Sequence, residues 1–153
     1  MSTKEVIVNK LIDGLKKQWE LSGFKEATAV QKETFSPIYE GRDVLAESPT
    51  GTGKTLAYVL PILNKIKADE QKVQTVILAP SRELVMQIFE VVQAWSKDTG
   101  ITCASFIGGA NPKRQLEKVK KHPQIVIGTP GRLEELIKQK KMKMHEVKTI
   151  VLD

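Results

Sequence analysis

The chain has 153 residues, 41% of them apolar and 27% charged, with 24 Lys and Arg against 18 Asp and Glu. That length suits one domain with a core rather than two. No run of about 18 apolar residues is present, so no membrane span is expected. The segment Met1-Ser2-Thr3-Lys4-Glu5 has no apolar signal-peptide core, and the lone Cys103 excludes an internal disulfide, which together fit a reducing, cytoplasmic setting. With only His122 and His145 to join that thiol, and neither at ligand spacing, a structural zinc is not expected. Charge is unevenly spread. Residues 1–109 hold 13 basic and 13 acidic side chains, whereas residues 110–150 hold 11 basic and 4 acidic. Lys113, Arg114, Lys118, Lys120, Lys121, Lys138, Lys140, Lys141 and Lys143 carry most of that excess. It reads either as a surface facing a polyanion or as two solvated helix faces.

Ile7, Leu11, Leu15 and Trp19 recur at helical spacing and predict a helix over 5–21, stopped by Gly23. Thr28 with Gln31 forms a capping-box pattern that opens a second helix through Phe35 and Ile38 to Gly41. Val44-Leu45-Ala46 reads as a short strand. Residues Ser48 to Thr55 follow, then a helix with Leu56, Val59, Leu60 and Leu63. Thr75 to Ala79 is a continuous apolar strand of the kind buried on both faces. Ser81 caps a helix marked by Leu84, Val85, Ile88, Val91, Val92 and Trp95. A strand from Thr102 to Ile107 ends in Gly108-Gly109, and Asn111-Pro112 begins a basic helix. Gln124 to Ile127 is a strand, Thr129-Pro130-Gly131-Arg132 a turn, and Leu133, Leu136 and Ile137 a helical stripe. Val147 to Leu152 is the last strand. Alternating strands and helices predict an α/β domain with a mainly parallel sheet flanked by helices and right-handed crossovers. Ligands of such sheets bind beyond the carboxyl ends of the strands, which is where the polar clusters fall.

The richest segment chemically is Ser48-Pro49-Thr50-Gly51-Thr52-Gly53-Lys54-Thr55. Gly51 and Gly53 let backbone wrap an anion so that successive N–H groups face phosphate oxygens. Lys54 opens a helix, where its ammonium and the positive helix end act on the same charge. Thr55 places a hydroxyl where Mg²⁺ sits between phosphates. Ser48 stands where the G-x-x-x-x-G-K-[ST] pattern has its first glycine. The pattern points to a nucleoside triphosphate.

Taken together, the motifs resemble the first RecA-like domain of DEAD-box ATP-dependent RNA helicases. Ala46 to Thr55 looks like motif I, Gly23-Phe24 with Gln31 like the adenine-reading Q motif, and Pro80-Ser81-Arg82-Glu83-Leu84 like motif Ia. Gly108-Gly109 looks like the family's glycine pair, Thr129-Pro130-Gly131-Arg132 like motif Ib, and Val151-Leu152-Asp153 like the opening of motif II. The resemblance runs from about Gly23 to the end, which makes 1–22 a helical lead-in and 23–153 a partial RecA-like P-loop domain. It implies ATP and Mg²⁺ as cofactors. Phe24, Gln31, Ser48, Thr50, Gly51, Thr52, Gly53, Lys54 and Thr55 would hold the nucleotide, Lys54 on the β- and γ-phosphates. Thr55 and Asp153 would serve the metal, Asp153 through water, and Lys54 and Asp153 would take part in catalysis. Pro80, Arg82, Gly109, Thr129 and Arg132 would hold the backbone of single-stranded RNA without reading bases. Ala27 and Ala29 replace prolines usual in the Q motif, and aliphatic Val6 or Ile7 stands near the family's isolated aromatic.

The resemblance also implies partners: single-stranded RNA, a second RecA-like domain of the same parent, and no membrane. The glutamate that polarises water, the Ser-Ala-Thr motif and the arginine fingers are not among these residues. A polypeptide of this extent is therefore expected to lack useful ATPase or unwinding activity, and to be marginally stable because a central strand is absent. Other readings are a nucleotide- and RNA-docking module without turnover, a small-molecule P-loop kinase, and a DNA-remodelling parent. The kinase reading leaves Arg82, Gly109 and the Thr-Pro-Gly-Arg turn unused.

Overall fold

Four runs of apolar and β-branched residues, uniform rather than alternating, belong in a sheet covered on both faces. In the computed structural model, which describes residues 3–49 and 53–153, they form four parallel strands. These are β1 (Thr75–Leu78), β2 (Cys103–Phe106), β3 (Ile125–Gly128) and β4 (Thr149–Leu152), in the order β2-β3-β1-β4. Three helices connect them: α5 (Arg82–Ser96), α6 (Pro112–Lys120) and α7 (Pro130–Lys138). Passing from β2 to β3 and from β3 to β4 moves in one direction along the sheet, and from β1 to β2 in the other. Right-handed crossovers therefore place α6 and α7 on one face and α5 on the opposite face.

The chain divides into two units. One comprises Lys67–Gln93 and Ile101–Asp153 and contains the sheet; the other comprises Met1–Ile66 with Ala94–Gly100. In the sheet unit, Val76, Ala104, Phe106 and Val126 project from one sheet face and pack with Leu133 and Leu136 of α7 and with Met142. Phe106, Ile125 and Ile127 are each at most 1% exposed, and burial of such side chains stabilises by about 1.5–3 kcal/mol apiece. The outer strand β4 is the exception: Ile150 and Leu152 are 64% and 80% exposed.

The other unit is helical: α1 (Thr3–Lys10), α2 (Asp13–Ser22), α3 (Ala29–Tyr39) and α4 (Lys54–Lys65), with α3 packed along α4. Leu11, Leu15, Trp19, Phe35, Leu60 and Leu63 are buried. Gly23 ends α2 at φ 74°, donating its N–H to the Glu20 carbonyl, as a left-handed cap requires.

Two expectations are corrected. The helix over 5–21 is broken at Leu11-Ile12, where Ile12 is extended (φ −66°, ψ 159°). The side chain of Asn64 fills the gap, accepting from the Ile12 N–H at 2.7 Å and donating to the Lys10 carbonyl at 2.9 Å. An amide 52 residues away thus replaces helix hydrogen bonds, which periodicity cannot register. Val44-Leu45-Ala46 is not a strand: it pairs with none of the four strands, and Leu45 is fully exposed. Three apolar residues have strand propensity, but a strand exists only through a ladder partner, and none of the described strands supplies one.

Candidate functional site

The parallel register aligns the carboxyl ends of the strands. Leu78 lies opposite both Gly128 and Leu152, and Phe106 opposite Gly128. The segments that follow therefore leave the sheet at one edge: Pro80 to Arg82 after β1, Ile107 to Gly109 after β2, Thr129 to Arg132 after β3, and Asp153 after β4. Ladder bonds continue into them. Ala79 donates to the Gly128 carbonyl (3.2 Å), Thr129 to that of Phe106 (3.2 Å) and Asp153 to that of Leu78 (2.9 Å). Four motifs separated by up to 73 positions in sequence are brought together by strand register.

At this edge Ser81 accepts from the Leu84 N–H and starts α5, leaving Pro80 and Arg82 exposed. Arg82 does not pair with Glu83; its Nη1 donates to the Gly108 carbonyl at 3.4 Å. Gly109 has φ 80°, and a Cβ there would stand 3.0 Å from Arg82 Nη1, so the guanidinium lies against a backbone that only glycine leaves open. The Thr129-Pro130-Gly131-Arg132 segment is not a turn before a helix but its opening, with Thr129 at the N-cap position and Pro130 first in α7. The Thr129 hydroxyl makes no capping bond. Arg132, with its side chain 16% exposed, donates from Nε to Gln115 Oε1 at 2.5 Å and from Nη1 to Glu135 at 2.7 Å. Gln115 was not singled out by sequence, because a glutamine on a lysine-rich helix looks like surface.

In the helical unit, Thr28 caps α3. Its N–H donates to Gln31 Oε1 at 3.0 Å while its hydroxyl accepts from the Gln31 N–H, closing the capping box. The same glutamine, 5% exposed, donates from Nε2 to the Gly53 carbonyl at 3.2 Å. Those bonds use one donor and one lone pair of the amide, leaving one of each. Gly53 sits at φ 84° as N-cap of α4 and supplies no side-chain cap, so the first amides of α4 stay available to an anion. Lys54 is exposed and makes no ion pair among the described residues; Thr55 is half-buried beside it. Ser48 and Pro49 precede α4 outside any helix or strand, whereas Thr50, Gly51 and Thr52 lie outside the described residues. Phe24 is 42% exposed, stacked on Trp95 (6.1 Å, 14°) and edge-on to Trp19 (5.5 Å).

The excess positive charge divides between the two sheet edges. Lys113 and Arg114 begin α6, at the motif edge, where Asn111 caps the helix by accepting from the Lys113 N–H. Lys120, Lys121, Lys138, Lys140, Lys141 and Lys143 lie at or beyond the ends of α6 and α7, at the opposite edge, and all are exposed. Lys118 belongs to neither: it donates to the Ser105 carbonyl at 3.1 Å, and burial pushes its ammonium below the usual lysine range. Among the described residues no group of His, Cys, Asp and Glu could hold a metal by itself, and no helix is long and apolar enough to cross a membrane.

The sequence profile of DEAD/DEAH box helicases matches residues 28–153. A probable ATP-dependent RNA helicase of Bacillus subtilis, YfmL, is 61% identical over 139 residues, which are 91% of this chain and 37% of that protein. The DEAD-box ATP-dependent RNA helicase CshC of Bacillus cereus is 60% identical over 139 residues, 91% of this chain and 36% of that protein. The ATP-dependent RNA helicase CshA of Limosilactobacillus reuteri is 41% identical over 143 residues, 94% of this chain and 29% of that protein. The chain thus spans about a third of the length of the curated relatives it matches. With a parallel α/β sheet, motifs gathered at its carboxyl edge and a match over most of its length, the chain belongs to the DEAD/DEAH box helicase family.

Proposed function

We propose that this chain is the ATP- and RNA-binding portion of an ATP-dependent RNA helicase whose parent couples hydrolysis to local duplex unwinding or RNP remodelling. Residues 1–22 serve as a helical lead-in and 23–153 as part of the first RecA-like domain, working with a second such domain in the cytoplasm. The observation that carries the RNA side is the placement of Arg82, Gly109, Thr129 and Arg132 at one sheet edge. It offers two guanidinium groups, an open glycine backbone and an uncapped hydroxyl, all suited to phosphate and sugar and none arranged to read a base. Pro80 borders the same surface.

On the nucleotide side, the open N-terminus of α4, the left-handed Gly53 and the exposed Lys54, without an ion pair among the described residues, fit an anionic phosphate chain. Thr55 and Asp153 offer hard oxygen donors of the kind Mg²⁺ takes, Asp153 through water. ATP with Mg²⁺ supplies the phosphoryl group for transfer. Lys54 neutralises phosphate charge, Gln31 offers its remaining donor and acceptor to the adenine edge, and Phe24 presents an aromatic face. A polypeptide of these 153 residues binds nucleotide and RNA without turnover, because charge stabilisation at the γ-phosphate needs groups beyond these; an arginine finger alone accounts for about 10³–10⁵ in rate.

The test is a phosphate-release assay on the 153-residue chain, alongside a thermal melt with and without Mg-ADP. Nucleotide-dependent stabilisation that Lys54→Ala removes, without phosphate release, is the expected result. Release abolished by Lys54→Ala refutes the inactivity, and absence of any nucleotide effect refutes the ATP site.

A further inference from the structure

Gln115 is 1% exposed on a helix whose Lys113, Arg114, Glu117 and Lys120 are exposed. A buried amide left unpaired is costly, and packing alone is better served there by an apolar side chain. Both of its groups are paired, and with distant partners. Nε2 donates to the Ile107 carbonyl at 2.7 Å, and Oε1 accepts from Arg132 Nε at 2.5 Å. Ile107 immediately precedes Gly108, whose carbonyl accepts from Arg82, and Gly109, against which Arg82 lies. One backbone segment, 107–109, is therefore the common reference for both arginines, directly for Arg82 and through Gln115 for Arg132.

We infer that Gln115 is a positioning residue for the RNA-backbone surface: it locks the Arg132 guanidinium to the 107–109 segment. This rests on the reading of Arg132 as an RNA contact. The mechanism follows from the donor inventory of arginine. Gln115 takes Nε–H and Glu135 takes one Nη1–H, which fixes the guanidinium plane at two points. The two N–H groups of Nη2 make no bond among the described residues, and an anchored plane presents them in one orientation to a phosphate. Glu135 alone, at the exposed end of an i,i+3 pair, leaves the side chain free to swing. The interaction thus pre-organises a phosphate contact rather than making one.

The experiment measures binding of a fluorescent ten-nucleotide single-stranded RNA by anisotropy, for the parent chain, Gln115→Met, Arg132→Ala and the double variant. Thermal melts and fluorescent ADP binding are controls. NMR exchange of the Arg132 Nε–H reports the lock itself. Gln115→Met should weaken RNA by about three- to tenfold in the parent and by less than about twofold in the Arg132→Ala background. The Nε–H should lose its protection while ADP affinity stays unchanged. A loss of equal size in both backgrounds, or no loss while Arg132→Ala does weaken RNA, overturns the positioning role and leaves the RNA reading standing. Unchanged affinity in Arg132→Ala overturns the RNA reading and, with it, the role of Gln115. If Gln115→Met does not fold, Arg132→Lys decides: it keeps the charge but lacks the Nε–H that Gln115 holds, and affinity within about twofold of the parent overturns the inference.

Discussion

Gly14 is the second residue of α2, where helix propensity argues for its replacement, by up to about 1 kcal/mol in favour of alanine. The structure argues the reverse. A Cβ on Gly14 would meet the Asp98 carbonyl, with its carbon at 2.7 Å and its oxygen nearer still, and the Thr99 methyl at 3.1 Å. A backbone carbonyl cannot rotate away as a side chain can, so α2 must move by several tenths of an ångström or more. That motion strains what holds α2 to the 94–100 segment: the edge-on contact of Trp19 with Trp95 (6.3 Å) and the Gln18 bond to Asp98 (3.1 Å). Overpacking of this kind costs about 1–3 kcal/mol, against the gain of about 1. The difference is about 0–2 kcal/mol, centred on about 1 kcal/mol of net destabilisation, which is a fall in Tm of about 2–4 °C for a chain of this size. A calorimetric melt of Gly14→Ala against the parent checks it. A Tm equal to or above the parent's would refute the close approach and show that propensity governs this position.

Gly53→Ala should abolish nucleotide-dependent stabilisation, since φ 84° disfavours a side chain and its Cβ would stand 2.5 Å from Gln31 Nε2; a preserved ADP-induced rise in Tm refutes this. Gln31→Ala, which removes both the capping box and the bond to Gly53, should lower stability by about 1–3 kcal/mol in a urea titration, and an unchanged midpoint refutes it. Arg82→Ala should reduce the slope of log affinity for single-stranded RNA against log salt by about 0.7. Neutralising Lys140, Lys141 and Lys143 together should leave a short strand's slope unchanged, because these residues lie at the sheet edge opposite the motifs; a shallower slope would show RNA contacting that edge.

Features governed by neighbours in the chain were open to reading from composition and spacing. The capping box at Thr28, the Ser81 and Asn111 caps, the helix opening at Lys54 and the left-handed stop at Gly23 each depend on bonds across a few residues. The apolar runs at 75–79 and 124–127 announce buried parallel strands because both faces must be covered. What tertiary structure alone decided depends on partners far away in sequence. Asn64 breaks a helix that periodicity continues, and Val44-Leu45-Ala46 has the composition of a strand but no ladder partner among the described residues. Gln115 looks like one more polar residue until burial places it between Ile107 and Arg132. The candidate site followed the same division. Its residue types were legible as motifs because phosphate and RNA backbone demand particular donors. The convergence of Arg82, Gly109, Thr129 and Arg132 on one sheet edge, and the bonds that hold Arg82 and Arg132, came from strand register and helix packing, which no local pattern encodes.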